Sequence, residues 1–107
     1  MTESEFEALA GAALAALESA FETNAPDTDV QSKGEGLLEI EFEDGSKMVI
    51  NRHTAAREIW VAARLGGYHF RHDGTAWRDT RDGSELFAAV SRLASQQAGT
   101  LLVLGAR

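Results

Sequence analysis

Residues 37–51, LLEIEFEDGSKMVIN, set a period of two in the chain, and their reading decides the fold. Leu38, Ile40 and Phe42 alternate with Glu39, Glu41 and Glu43, so one face is apolar and the other charged. That is the pattern of a β-strand with one wet side. Asp44-Gly45 then turns the chain, and residues 46–51 run back. Register depends on the loop. A two-residue loop would pair Ile40 with Val49 and leave Met48 and Ile50 on the glutamate face. A three-residue loop, Glu43-Asp44-Gly45 with the glycine left-handed, opposes Ile40 to Met48 and Leu38 to Ile50. The second keeps the apolar groups together and is the expectation.

Upstream of this hairpin, Thr2 with Glu5 three residues on reads as a capping box. Phe6, Leu9, Ala13, Leu14, Leu17 and Phe21 recur at helical spacing and predict an amphipathic helix over 3–22. Asn24 to Asp27, with the only proline (Pro26), is a loop, and residues 29–33 form a short polar strand ended by Gly34-Glu35-Gly36. Downstream, residues 57–63 read as a strand. Gly66-Gly67 breaks the chain, and Tyr68–His72 with Thr75–Asp79 form a hairpin around Asp73-Gly74 that sets Phe70 opposite Trp77. Asp82 and Glu85 read as a second capping box. Leu86, Phe87, Val90, Leu93 and Ala94 carry a second helix to Gly99. The apolar tail Leu101–Leu104 must bury. The order predicts an α+β two-layer sandwich, two helices on one face of a mainly antiparallel sheet, as a single domain over 1–107.

Charge is lopsided. The first 44 residues hold twelve acids and one base, Lys33; the other 63 hold nine bases and five acids, giving −11 and +4 within the net −7. Such a field draws a basic protein surface or a hard cation to the leading end and argues against nucleic acid as a partner. The chain has no cysteine, so disulfides and thiolate metal sites are excluded. No export signal or membrane span is visible, so the expected compartment is the cytoplasm.

Taken together, Gly45-Ser46-Lys47, Ile50-Asn51-Arg52, Ile59-Trp60, Gly66-Gly67-Tyr68-His69-Phe70 and Trp77 resemble the central block of bacterial frataxins. The resemblance extends to the acidic first helix, the glutamate-rich hairpin, the second helix and its Gln96-Gln97-Ala98-Gly99 ending. It implies an α-β(5–7)-α sandwich and a role in iron–sulfur cluster assembly. Cysteine desulfurase and the iron–sulfur scaffold protein are the implied partners, with iron bound weakly through carboxylates.

Two surfaces follow. On a helical wheel at about 100° per residue, Glu7, Glu18 and Glu22 fall within about 60° of one another, and Asp27 and Asp29 follow in the loop and edge strand. The resemblance implies that Glu18, Glu22, Asp27 and Asp29 are the metal and partner ridge, with Glu3 and Glu7 as weaker members. Gly11, Ala25 and Pro26 stand where bacterial frataxins are often richer in acids, and Lys33 adds a positive charge. A surface ridge offers a cation no enclosed shell. The second surface is the open sheet face. If Ile59 and Val61 point to the core, Trp60 points away, with Glu39, Glu41, Lys47, Val49, Asn51, His69 and Arg71. There the resemblance implies that Asn51, Trp60 and Arg71 contact a partner, the alternative being that Trp60 packs along the stem of Arg71 or Lys47.

His69 and His72, three apart on a strand, face opposite sides and cannot share one ion. Ser84, Ser91 and Ser95 have no His/Asp arrangement, and Tyr68, Phe70, Trp77 and Phe87 read as core. The expectation is a regulator rather than an enzyme. Its competitors are an iron metallochaperone or storage protein, an acidic interaction domain unrelated to iron, and a small hydrolase built on His69 or His72.

Overall fold

Thr2 and Glu5 open the first helix reciprocally: the Glu5 amide donates to Thr2 Oγ1 at 3.1 Å and the Thr2 amide to Glu5 Oε1 at 2.8 Å. In the computed structural model, which describes residues 1–105, this helix is α1 (Glu3–Asn24). A 3-10 turn (Thr54–Ala56) interrupts six strands, β1 (Asp29–Ser32), β2 (Leu37–Glu41), β3 (Lys47–His53), β4 (Glu58–Ala63), β5 (Gly66–His72) and β6 (Trp77–Asp79). The chain returns to helix in α2 (Leu86–Ala98). The strands form one antiparallel sheet in sequence order.

Both helices cover the sheet face that carries Leu38, Ile40, Met48, Ile50, Ile59, Val61 and Phe70. Phe6, Phe21 and Phe70 are wholly buried, each such side chain contributing roughly 1.5–3 kcal/mol by leaving water. The α1 stripe differs from the expectation at one position. Ala10 is buried and Leu9 is 37 % exposed, because Leu9 lies about 90° from the stripe's centre on a 3.6-residue period.

The decisive hairpin has the three-residue loop: Ile40 faces Met48, Leu38 faces Ile50, and Gly45 has φ +86°. The β5–β6 hairpin differs from its expectation. His72 faces Trp77 and Phe70 faces Asp79. The Asp73 carboxylate accepts the amides of Thr75 and Ala76 at 2.8 and 2.9 Å and draws them into the turn. The pairing moves by two residues, so every side chain keeps its face.

α2 also starts later than the expected capping box. Glu85 bridges to Arg78 as extended chain and caps the helix itself, accepting the amides of Phe87 and Ala88 at 3.0 Å each. Asp82 closes the preceding turn through the Ser84 amide at 2.9 Å. Gly99 ends α2 with φ +73°. The tail lies along α2, where Ser91 Oγ accepts the Leu104 amide at 2.9 Å and Ser95 Oγ the Leu102 amide at 2.8 Å. Leu104 is buried, whereas Leu101 and Val103 face solvent. Among the described residues no helix is long and apolar enough to cross a membrane.

Candidate functional site: an acidic ridge and the open sheet face

The ridge is built by the flank of α1 and the edge strand beside it. Glu3, Glu7, Glu22, Asp27 and Asp29 are exposed and Glu18 is half-buried. Among the described residues none of the six is in an ion pair, and only Asp29 accepts a side-chain hydrogen bond, from Gln31 at 3.4 Å. Register extends the ridge onto the sheet, because Asp29 lies opposite Glu41. The nearby bases pair with other acids. Lys33 Nζ lies 2.7 Å and Lys47 Nζ 3.5 Å from Glu39 on the open face, and Arg52, which lines one pocket with Glu18, lies 3.6 Å from Glu35 and forms no ion pair with Glu18. The bond from Lys33 holds the Glu39 carboxyl below its ordinary value.

Glu3 sits in the first turn of α1, where a negative charge is favourable, but Glu18 and Glu22 bring the helix no stability. Glu22 stands near the C-terminus of α1, where the partial charge is already negative, and no base occupies that last turn. Glu18 and Glu22 also repel each other as an i,i+4 pair. At ~1.5 Å rise per residue, Glu3 and Glu7 lie on the order of 16 Å or more from Glu18. The ridge is therefore two groups on one helix. Among the described residues no three His, Asp or Glu side chains converge to hold a metal ion. The carboxylates suit a hard cation as donors, but a hard cation takes about six oxygens and no such shell is assembled.

On the open face, β-pairing places Asn51, Trp60 and His69 side by side across three strands. Trp60 does not lie along a lysine or arginine stem. Its indole is held between two imidazoles, His53 at 3.9 Å and His69 at 4.4 Å between ring centres, both within 9° of parallel. The flat faces are covered, and the block on the open face is a three-ring slab rather than a bare indole.

Beneath it lies Glu58, only 7 % exposed. Its Oε1 accepts the Trp60 indole N–H at 2.8 Å and its Oε2 the Arg71 guanidinium at 2.8 Å, with His69 Nδ1 3.6 Å away. Burial pushes the Glu58 carboxyl up, but the bonds from Trp60 and Arg71 outweigh it, with help from the charges of Arg71 and His69, and leave it below its ordinary value. Arg71 is thereby fixed over the face. Asn51 is half-buried, with Nδ2 3.4 Å from the Arg52 carbonyl. His69 and His72 do face opposite sides: His72 meets the Trp77 edge at 5.1 Å and its Nδ1 accepts the Gly74 amide at 3.1 Å. Tyr68 is only half-buried, with the Arg81 guanidinium 5.4 Å above its ring.

Sequence reasoning missed Glu58 and the stacking role of His53. Both were within reach of strand parity. Glu58 stands two residues before Trp60 and so shares its face, and His53, opposite Glu58, is a diagonal neighbour of the indole.

This helix–meander–helix order, with an acidic flank and a Trp-centred open face, has known counterparts. Residues 1–100 match the family model described as the frataxin-like domain. The chain belongs to the frataxin family. The iron–sulfur cluster assembly protein CyaY of Dechloromonas aromatica is 57 % identical over 104 residues, covering 97 % of this chain and 99 % of its own. That of Cupriavidus metallidurans is 52 % identical over 107 residues, covering 97 % and 96 %. Among solved structures, the frataxin of Psychromonas ingrahamii is similar with a TM-score of 0.89 at 29 % identity, covering 99 % of this chain and 100 % of its own. Trimeric yeast frataxin from Saccharomyces cerevisiae, solved as a ferrous complex, gives 0.67 at 20 % identity over 94 % and 88 %, a likeness of fold alone. The frataxin family is by name one of assembly factors, not of catalysts.

Proposed function

We propose that this frataxin serves iron–sulfur cluster assembly as a docking regulator. The ridge of Glu18, Glu22, Asp27 and Asp29 engages a basic surface of the cysteine desulfurase. The slab around Trp60, with Asn51 and Arg71, contacts that enzyme or the iron–sulfur scaffold protein, and docking alters the rate of sulfur transfer. The relatives' shared name supports the pathway. One observation carries the ridge: its acids have no basic partner among the described residues, and Glu18 and Glu22 stand where they weaken their own helix. Charge left unpaired in this way is free to meet a basic surface outside the chain.

Iron is a secondary ligand in this reading. Carboxylate oxygens take hard cations, and with one or two of them per ion the affinity is weak and shared with calcium or magnesium. The metallochaperone reading requires a convergent donor set, which the described residues do not offer.

The test is charge reversal. Glu18→Lys with Glu22→Lys is expected to abolish binding to purified cysteine desulfurase and the effect on its sulfide output, with the fold intact by circular dichroism. Full affinity in the double variant refutes the ridge as the docking surface.

A further inference from the structure

The C-terminal ends of α1 and α2 converge on one cavity of about 240 Å³, bounded by Ala25 just past α1, by Ala98 at the end of α2 and by the β2–β3 turn. We propose that this cavity receives a single arginine or lysine side chain of the basic partner, an inference that rests on the ridge docking proposed above.

Size selects the class of occupant. The cavity is about eight times the ~30 Å³ that a water takes up in the liquid, yet smaller than the ~300–1,000 Å³ of drug-sized ligand sites. That suits one long side chain. The lining includes the apolar side chains of Pro26, Phe42 and Leu102 together with the exposed carboxylates of Asp27 and Glu43. A basic side chain has that same division, an alkyl stem and a charged head.

Charge selects the sign. Two helix C-termini present partial negative charge here, and neither has a basic residue in its last turn. Asp44, also at the wall, is already engaged by Arg64 and by Ser46 at 2.6 Å, whereas Asp27 and Glu43 have no ion-pair partner among the described residues. The floor is preformed. Gln97 is 5 % exposed, and it donates to Ser46 Oγ and the Lys47 carbonyl at 2.9 Å each while accepting the Arg64 amide at 3.3 Å. No internal rearrangement is needed to admit a side chain. Asp27 belongs to the ridge as well, so an anchored arginine would hold the partner in register along it.

The experiment is an amide NMR titration of the wild-type protein with N-acetyl-arginine amide, controlled by the uncharged N-acetyl-citrulline amide. The expected result is saturable shifts at Ala25, Phe42, Ala98 and Thr100 with the first compound only. Equal shifts with both, or shifts confined to Glu18 and Glu22, overturn the proposal. A second arm fills the cavity from its exposed wall with Ala98→Phe. Partner affinity is expected to fall tenfold or more and the probe shifts to vanish. Unchanged affinity in Ala98→Phe, beside loss of binding in the Glu18/Glu22 reversal, rejects the cavity and retains the ridge. If Ala98→Phe does not fold, the wild-type titration decides alone, and it does so whatever the ridge variant shows.

Discussion

Glu58→Gln isolates the carboxylate beneath the Trp60 slab. Glutamine keeps the shape and can still accept the indole N–H through its amide oxygen, but its NH2 replaces the oxygen that accepts from Arg71, so the charge and the Arg71 bond are removed together. The indole bond to an ionised acceptor belongs to a class contributing ~1.5–3 kcal/mol, against ~0.5–1.5 for a neutral pair, a loss of about 1 kcal/mol. The Arg71 side chain is 64 % exposed, so screening limits its share to ~0–1 kcal/mol. The expected cost is about 1–2 kcal/mol at neutral pH, a fall in Tm of roughly 5–10 °C for a chain of this length. The folded carboxyl titrates below its ordinary value. Its contribution is therefore complete above the unfolded pKa and is lost as pH falls through the folded one. Urea unfolding of both proteins across a pH series should show a gap at neutral pH that closes at acid pH. Equal stability at neutral pH, or a gap undiminished by acid, refutes the argument that a buried carboxylate supports the slab.

Gln97→Leu should cost about 2 kcal/mol in urea unfolding, because it strands the Lys47 carbonyl and Arg64 amide that Gln97 satisfies from α2; an unchanged midpoint contradicts this. The Ser46 hydroxyl and amide, with Arg64, hold the Asp44 carboxyl down to about 2. Its stabilising effect is thus present above the ordinary aspartate pKa and lost only as pH falls towards 2. NMR titration of Asp44 near the ordinary value would show that the turn does not hold its charge.

Much of this architecture is legible in the residues because local and global signals agree. Alternation in 37–51 and a left-handed glycine leave one sensible register, and Trp60 can point outward only if Ile59 and Val61 point in. The misreadings lie where a short polar side chain rewrites the backbone. Asp73 draws Thr75 and Ala76 into its turn and moves a hairpin by two residues, and Glu85 replaces Asp82 as the cap of α2. The slab escaped because strand parity, which puts His53, Trp60 and His69 on one face, does not by itself show that the imidazoles stack on the indole. The cavity at the helix ends needed three elements to meet, which no single window of sequence displays.

The account depends on carboxylates left without partners so that another molecule can supply them. Affinity for purified cysteine desulfurase, measured from roughly 0.1 to 1 M salt as the screening length falls from ~10 to ~3 Å, tests that most directly. The predicted result is a steep loss for the native protein, on the order of tenfold or more, and a flattened dependence when Glu18 and Glu22 are neutralised. Affinity that does not change with salt would contradict it.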